Sequence, residues 1–175
     1  MGPIARRDKQ PHHPEWSGLF EDGSLDLFGP HTPNPSQILF CNHPAKHVMW
    51  GGAVRGGKTW ALWWAMVELA WAYPNNLLVV GRWVKDHLYN STFATFKRLF
   101  PATAYPMKCH PNDEEPDEIR FPNGSKILLV PLSDRKRWPG AELGGFGIDQ
   151  AEQCTRETWT DLARRVCLMS VPVES

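Results

Sequence analysis

No stretch of this 175-residue sequence is apolar for as long as a membrane is thick. The longest greasy run, WALWWAMVELAWAY at 60–73, has 14 residues and carries Glu68, whereas a spanning helix needs about 20. A membrane span is therefore not expected. Charge of one sign is also missing, because 19 basic residues balance 19 acidic ones. Without a basic field one argument for DNA contact is withdrawn, though such contact is not excluded. Cysteine is sparse: Cys41, Cys109, Cys154 and Cys167 lie far apart with no C-x-x-C pair. A zinc site or a disulfide framework is not expected, and a reducing cytosol fits. The opening MGPIARRDKQPHHPEW is polar and Pro-rich and lacks the apolar core of a signal peptide.

What is present is apolar mass. Hydrophobic residues make up 42% of the chain, enough for one domain with a real core. Nine tryptophans point to core or interface packing before base stacking.

Proline and glycine crowd residues 1–31, which read as a loosely ordered arm; residues 32–175 read as one domain. Within it, PSQILFC (35–41) predicts a short helix and KHVMWGG (46–52) a buried strand running into glycines. Residues 58–73 predict a helix apolar almost all round, which must be covered on more than one side. NLLVVGR (76–82) and LGGFGID (143–149) read as buried strands. Helical spacing runs through 84–99 at Val84, Leu88, Phe93, Phe96 and Leu99. EIRFPNGSKILLVPL (118–132) predicts a hairpin turning at Asn123-Gly124, and 155–166 a helix capped by Thr155. Strands alternating with helices predict an α/β domain with a mostly parallel sheet and an antiparallel excursion at the hairpin.

The strongest local signal is GGAVRGGKT at 51–59, which contains G-x-x-x-x-G-K-T at Gly52, Gly57, Lys58 and Thr59, with another glycine at Gly56. Glycines let successive backbone N–H groups curl around an anion, the lysine brings charge to the β- and γ-phosphates, and the hydroxyl suits Mg²⁺. Ordinary residue usage produces this pattern by chance in under about 1% of chains this long, so a turn that merely ends a strand is the weaker reading. The position between a predicted strand and a predicted helix is the expected context for a P-loop. Arg55, inside the loop, has three open readings: the terminal phosphate, a neighbouring subunit's site, or solvent.

A P-loop nucleotidase also needs a carboxylate at the end of a neighbouring strand to hold Mg²⁺, and Asp149 closes GFGID in that form. Gln150 follows, where many such ATPases carry a glutamate that activates the attacking water. An amide orients water but cannot take its proton. Three readings stay open: Gln150 positions the water, Glu152 substitutes, or nucleotide is bound with little turnover.

In order along the chain, these motifs resemble the N-terminal ATPase region of the large subunit of tailed-phage DNA-packaging terminase, over about residues 32–168. TPNPSQ is similar to the family's adenine-side motif, VMWGGAVRGGKT to its Walker A, LLVVGRWVKDHLYNSTFATFKRLFP to the strand–Arg–helix segment that follows, and WPGAELGGFGIDQAEQCTRETWTDLARRV to its Walker B strand and trailing helix. IRFPNGSKILLVPLSD resembles the hairpin before Walker B. Only the P-loop is specific taken singly; the ordered set carries the resemblance.

The resemblance implies a P-loop NTPase of the additional-strand (ASCE) type that hydrolyses ATP with Mg²⁺ to drive double-stranded DNA into a procapsid. It implies a homo-oligomeric ring at the portal protein, a small terminase subunit as partner, and a place in the host cytoplasm. Carried over by position, Lys58 and Thr59 bind phosphate and metal, Asp149 binds Mg²⁺ and Gln37 reads adenine. The sequence departs from the pattern at Gln150, which takes the catalytic glutamate's place. It departs again at Pro139, which precedes Gly140 where some members carry a trans-acting arginine, leaving Arg137 as the nearby candidate. The family's coupling motif and C-terminal nuclease domain have no counterpart here, so nuclease activity is not expected and the chain reads as a partial terminase. The rivals are another ASCE translocase or helicase-like ATPase, and a nucleotide-dependent assembly module.

Other candidates are weaker. NDEEPDE (112–118) reads as a solvated loop before a metal cluster, and RKRW (135–138) as a DNA- or nucleotide-contacting loop or one with no role. His12, His13, His43 and His47 lack ligand spacing and read as surface residues.

Overall fold

The computed structural model describes residues 18–52, 56–134 and 142–166. Helix α1 (Pro35–Cys41) leads to α2 (Lys58–Ala72), then strand β1 (Leu77–Arg82). A helical stretch follows in three pieces, α3 (Lys85–His87), a π-helical segment (Leu88–Phe93) and α4 (Ala94–Leu99). Strands β2 (Lys108–His110), β3 (Glu118–Arg120), β4 (Lys126–Pro131) and β5 (Gly145–Ile148) precede α5 (Arg156–Arg165).

The five strands form one sheet in the order β2-β3-β4-β1-β5. Central β1 pairs parallel with β4 and β5, so Val80 stands between Leu129 and Gly147. β3 and β2 extend the sheet antiparallel. Side chains alternate across β1. Leu78 and Val80 pack with Trp63, Val67, Phe93 and Phe96 on one face, while Val79 packs with Val130, Leu143 and Leu162 on the other. Helices thus cover both faces, as expected of buried strands in an α/β domain.

Helix α2 is wedged as its composition requires. Trp63 and Trp64 are fully buried, Trp63 against Phe96 and Trp64 edge-on to Phe28 at 5.0 Å. The hairpin tip closes the helix: Asn123 Nδ2 donates to the carbonyls of Ala70 and Trp71 at 2.9 and 3.0 Å. Gly124 takes φ 84°, which a turn there demands of glycine.

Three expectations are corrected. Residues 46–52 form no strand; Met49 is 82% exposed, and β5 is an edge strand among the described residues. The aromatic side chains of that segment find helices in place of a ladder, Trp50 against Phe40 of α1 and His47 edge-on to Trp159 of α5 at 5.1 Å. Residues 84–99 are not one regular helix. Leu88 and Phe93, five apart and both fully buried, share a face only where the helix widens to i→i+5 bonding. Residues 18–31, read from the sequence as the end of a loose arm, pack on the core. Leu27 is buried there, and Tyr105 Oη donates to the Asp26 carbonyl at 2.6 Å. Residues 1–17 lie outside the described residues. Strand β2 was not anticipated.

Candidate functional site

The glycine-rich loop ends on a left-handed Gly57 (φ 76°, ψ 19°), a conformation open to glycine at no steric cost, and α2 begins at Lys58. Gly57 offers no side-chain cap, so the first-turn N–H groups and the positive end of a 15-residue helix face the loop. Lys58 Nζ folds back to donate to the Gly52 carbonyl at 2.9 Å. A lysine beside an uncapped helix start suits an anion with several oxygens.

Gln37 braces this loop from behind. Its Nε2 donates to the Gly57 carbonyl at 3.0 Å, and its Oε1 accepts from Asn34 N at 2.8 Å in a reciprocal cap of α1. A Cβ at position 57 would run into that amide. Gln37 is 5% exposed.

Asp149 follows directly on β5, with its N–H continuing the ladder to the Gly81 carbonyl at 2.9 Å. The sheet brings it to the start of α2, where Thr59 Oγ1 donates to Asp149 Oδ1 at 3.0 Å. Its other oxygen is held from the opposite side. Thr92 Oγ1 donates to Oδ2 at 2.6 Å, and Arg82 Nη1 lies 3.5 Å from the same atom. Asp149 as a residue is 7% exposed, and a buried charge persists only when paired and hydrogen-bonded in this way.

Arg82 and Thr92 lie in the strand–Arg–helix segment noted in the sequence, but neither was assigned a role there. Nothing local marked Thr92, because the π-helical turn that carries it is set by packing. Trp63 Nε1 holds that turn through the Thr92 carbonyl at 2.7 Å.

Gln150 takes a left-handed backbone (φ 54°, ψ 56°). Its Oε1 accepts from Arg82 Nη2 and, at 3.0 Å, from Gln153 Nε2. Glu152 stands exposed in the 3-10 turn Ala151–Gln153 that leads to α5, which Thr155 caps by accepting from Thr158 N at 3.2 Å.

Gly52, Gly56, Gly57, Lys58, Thr59, Asp149, Gln150 and Glu152 all border one open cleft of 1640 Å³, together with Arg82. Gln37 does not line it. Arg55 and Arg137 lie outside the described residues. Thr59 and Asp149 are hard oxygen donors of the kind Mg²⁺ takes, with water completing its shell, so these residues fit that ion. Among the described residues no group of three or more His, Cys, Asp or Glu could hold a metal. The acidic 112–118 segment is an exposed loop through 115, where Glu115 pairs with Lys85 at 2.7 Å, and it ends on Glu118 at the start of β3, paired with Arg120 and Lys126. Cys41 borders the cleft, but burial, with Glu68 adding to it, pushes its thiol up to about 12, so it is no nucleophile at neutral pH. Among the described residues no helix is long and apolar enough to cross a membrane.

No family model and no curated protein matches the chain. Among solved structures, the large terminase from a thermophilic bacteriophage matches with a TM-score of 0.56 at 18% identity. The fold is terminase-like. The match covers 69% of this chain and 30% of that one, so this chain spans under a third of the phage protein's length. At that identity the likeness speaks for the fold alone. Within this terminase-like fold, the start of α2 and the end of β5 meet at Thr59 and Asp149.

Proposed function

We propose that the chain is a Mg-ATP-binding motor domain of the phage large-terminase type, a P-loop ATPase of the additional-strand class. The contact between Thr59 and Asp149 carries the reading: a hydroxyl on the first turn after a glycine loop meets a strand-end carboxylate. A shared magnesium site between nucleotide loop and neighbouring strand has that composition. Lys58 brings charge to the phosphates, the loop N–H groups hold their oxygens, and Gln37 keeps the loop in shape from behind. Thr59 and Asp149 would hold magnesium, which would supply positive charge against the nucleotide's phosphates. The work proposed for that domain is packaging of double-stranded DNA, as a ring on a portal protein supplied by a small terminase subunit.

A second reading has its own support. Both lone pairs of Gln150 Oε1 are engaged, which suits a module that binds ATP to stabilise assembly and hydrolyses it little. Quantitative binding without phosphate release in an assembled ring favours that module.

Calorimetry on Lys58→Ala tests the common core of both. Nucleotide affinity is expected to fall below detection, and unchanged affinity would refute the phosphate cradle.

A further inference from the structure

Arg82 closes the strand of the strand–Arg–helix segment, and at 6% exposure it is among the most buried charged residues of the domain. Its guanidinium projects from the last residue of β1, the strand that pairs with β5, and it reaches the two residues that follow β5. Nη1 faces Asp149 Oδ2 and donates to Thr92 Oγ1 at 3.2 Å and to the His87 carbonyl at 3.3 Å. Nη2 donates to Gln150 Oε1. One rigid planar group therefore holds both the metal-side carboxylate and the residue at the water side, each through a different nitrogen.

We propose that Arg82 is a positioning residue of the nucleotide site, which holds Asp149 so that only Oδ1 is presented to Thr59 and a metal, and holds Gln150 so that only its NH₂ group is offered to a ligand. The inference rests on the Mg-ATP reading of the cleft and deepens it.

The first half follows from the division of labour on Asp149. Oδ2 is taken by Thr92 and Arg82, while Oδ1 has Thr59. Partners behind a ligating carboxylate fix its rotamer, and losing one typically costs about 10–100-fold in metal affinity.

The second half follows from donor counting. Arginine only donates, so the Gln150 atom facing it must be the oxygen, whatever ambiguity an amide otherwise carries. That oxygen has two lone pairs, and Arg82 and Gln153 use both. Gln150 keeps two N–H donors and no acceptor. As held, it can donate to a phosphate oxygen or to a water's oxygen, but it cannot accept a water's proton. Arg82 thus sets the chemical polarity of the residue at the water side, and lysine cannot replace it, having a single nitrogen for two targets.

The test compares ATP affinity in EDTA with that in Mg²⁺, for the wild type and Arg82→Lys. Affinity in EDTA, set by the loop and Lys58, is expected to stay within about 2-fold, while the gain brought by Mg²⁺ falls about 10-fold. Equal losses in both conditions, or an unchanged Mg²⁺ gain, would overturn the proposal. Where Arg82→Lys does not fold, Thr92→Val removes the hydroxyl shared by Arg82 and Asp149 and must show the same split. For the Gln150 half, urea midpoints without nucleotide are compared for Arg82→Lys, Gln150→Ala and the double variant. Non-additive shifts are expected, and additive ones would sink that half. A wild type that binds ATP in neither condition would remove the cradle reading itself, and this role with it. A wild type with a Mg²⁺ gain indifferent to Arg82 would remove this role alone.

Discussion

Thr59 Oγ1 and Asp149 Oδ1 lie 3.0 Å apart although 90 residues separate them in sequence. Neither residue is unusual in its own segment. The parallel pairing of β5 with β1, and the packing of α2 across that sheet, bring a strand end to a helix start.

Asp149 is where site and stability meet, since its carboxylate neutralises a buried guanidinium. Asp149→Ala is expected to abolish the Mg²⁺ gain in ATP affinity and to cost about 3 kcal/mol, because Arg82 would remain buried without its counter-charge. Urea unfolding with and without Mg-ATP reads both effects. A variant as stable as the wild type would show that Arg82 finds its partners elsewhere.

Gln150→Glu restores a carboxylate beside Arg82. Turnover is expected to rise by at least about tenfold, since general-base assistance contributes about 10²–10⁴-fold where it operates. Phosphate release from the assembled protein measures it. A flat rate would mean that position 150 does not face the water.

Alkaline pH is expected to destabilise the domain in a defined window. Burial pushes the thiol of Cys41 up from 9.0 to about 12 and that of Cys109 to about 11, and burial also raises the Tyr105 hydroxyl above its ordinary 10.0. Each group is neutral in the folded protein at a pH where the unfolded chain has already lost the proton. The folded state then binds more protons, so stability falls as pH climbs above about 9 and levels off beyond the raised values. Urea midpoints from pH 8 to 11 should decline, and Tyr105→Phe with Cys41→Ala should flatten the decline. A midpoint independent of pH over that range would show that these groups ionise normally when folded.

The legible parts of this protein were those whose signal is local. α1, α2, β1, the hairpin and α5 with its Thr155 cap each follow from periodicity, turn chemistry or capping within a few residues. The π-helical turn left a trace in the five-residue gap from Leu88 to Phe93, though only burial of both side chains gives that gap meaning. The strand expected at 46–52 did not form because exposure is decided by distant partners. Trp50 and His47 reach Phe40 and Trp159, and Met49 is left in solvent.

By itself the sequence determined the glycine loop, the lysine and hydroxyl that follow it, and the carboxylate that ends an apolar strand, because backbone curling and strand-end placement need only neighbours along the chain. Tertiary structure alone decided which side chains hold that carboxylate and which way the Gln150 amide faces. Those choices belong to Arg82 on the next strand and Thr92 on a widened helix, and hydrogen bonds between segments so far apart exist only after the sheet has set their register.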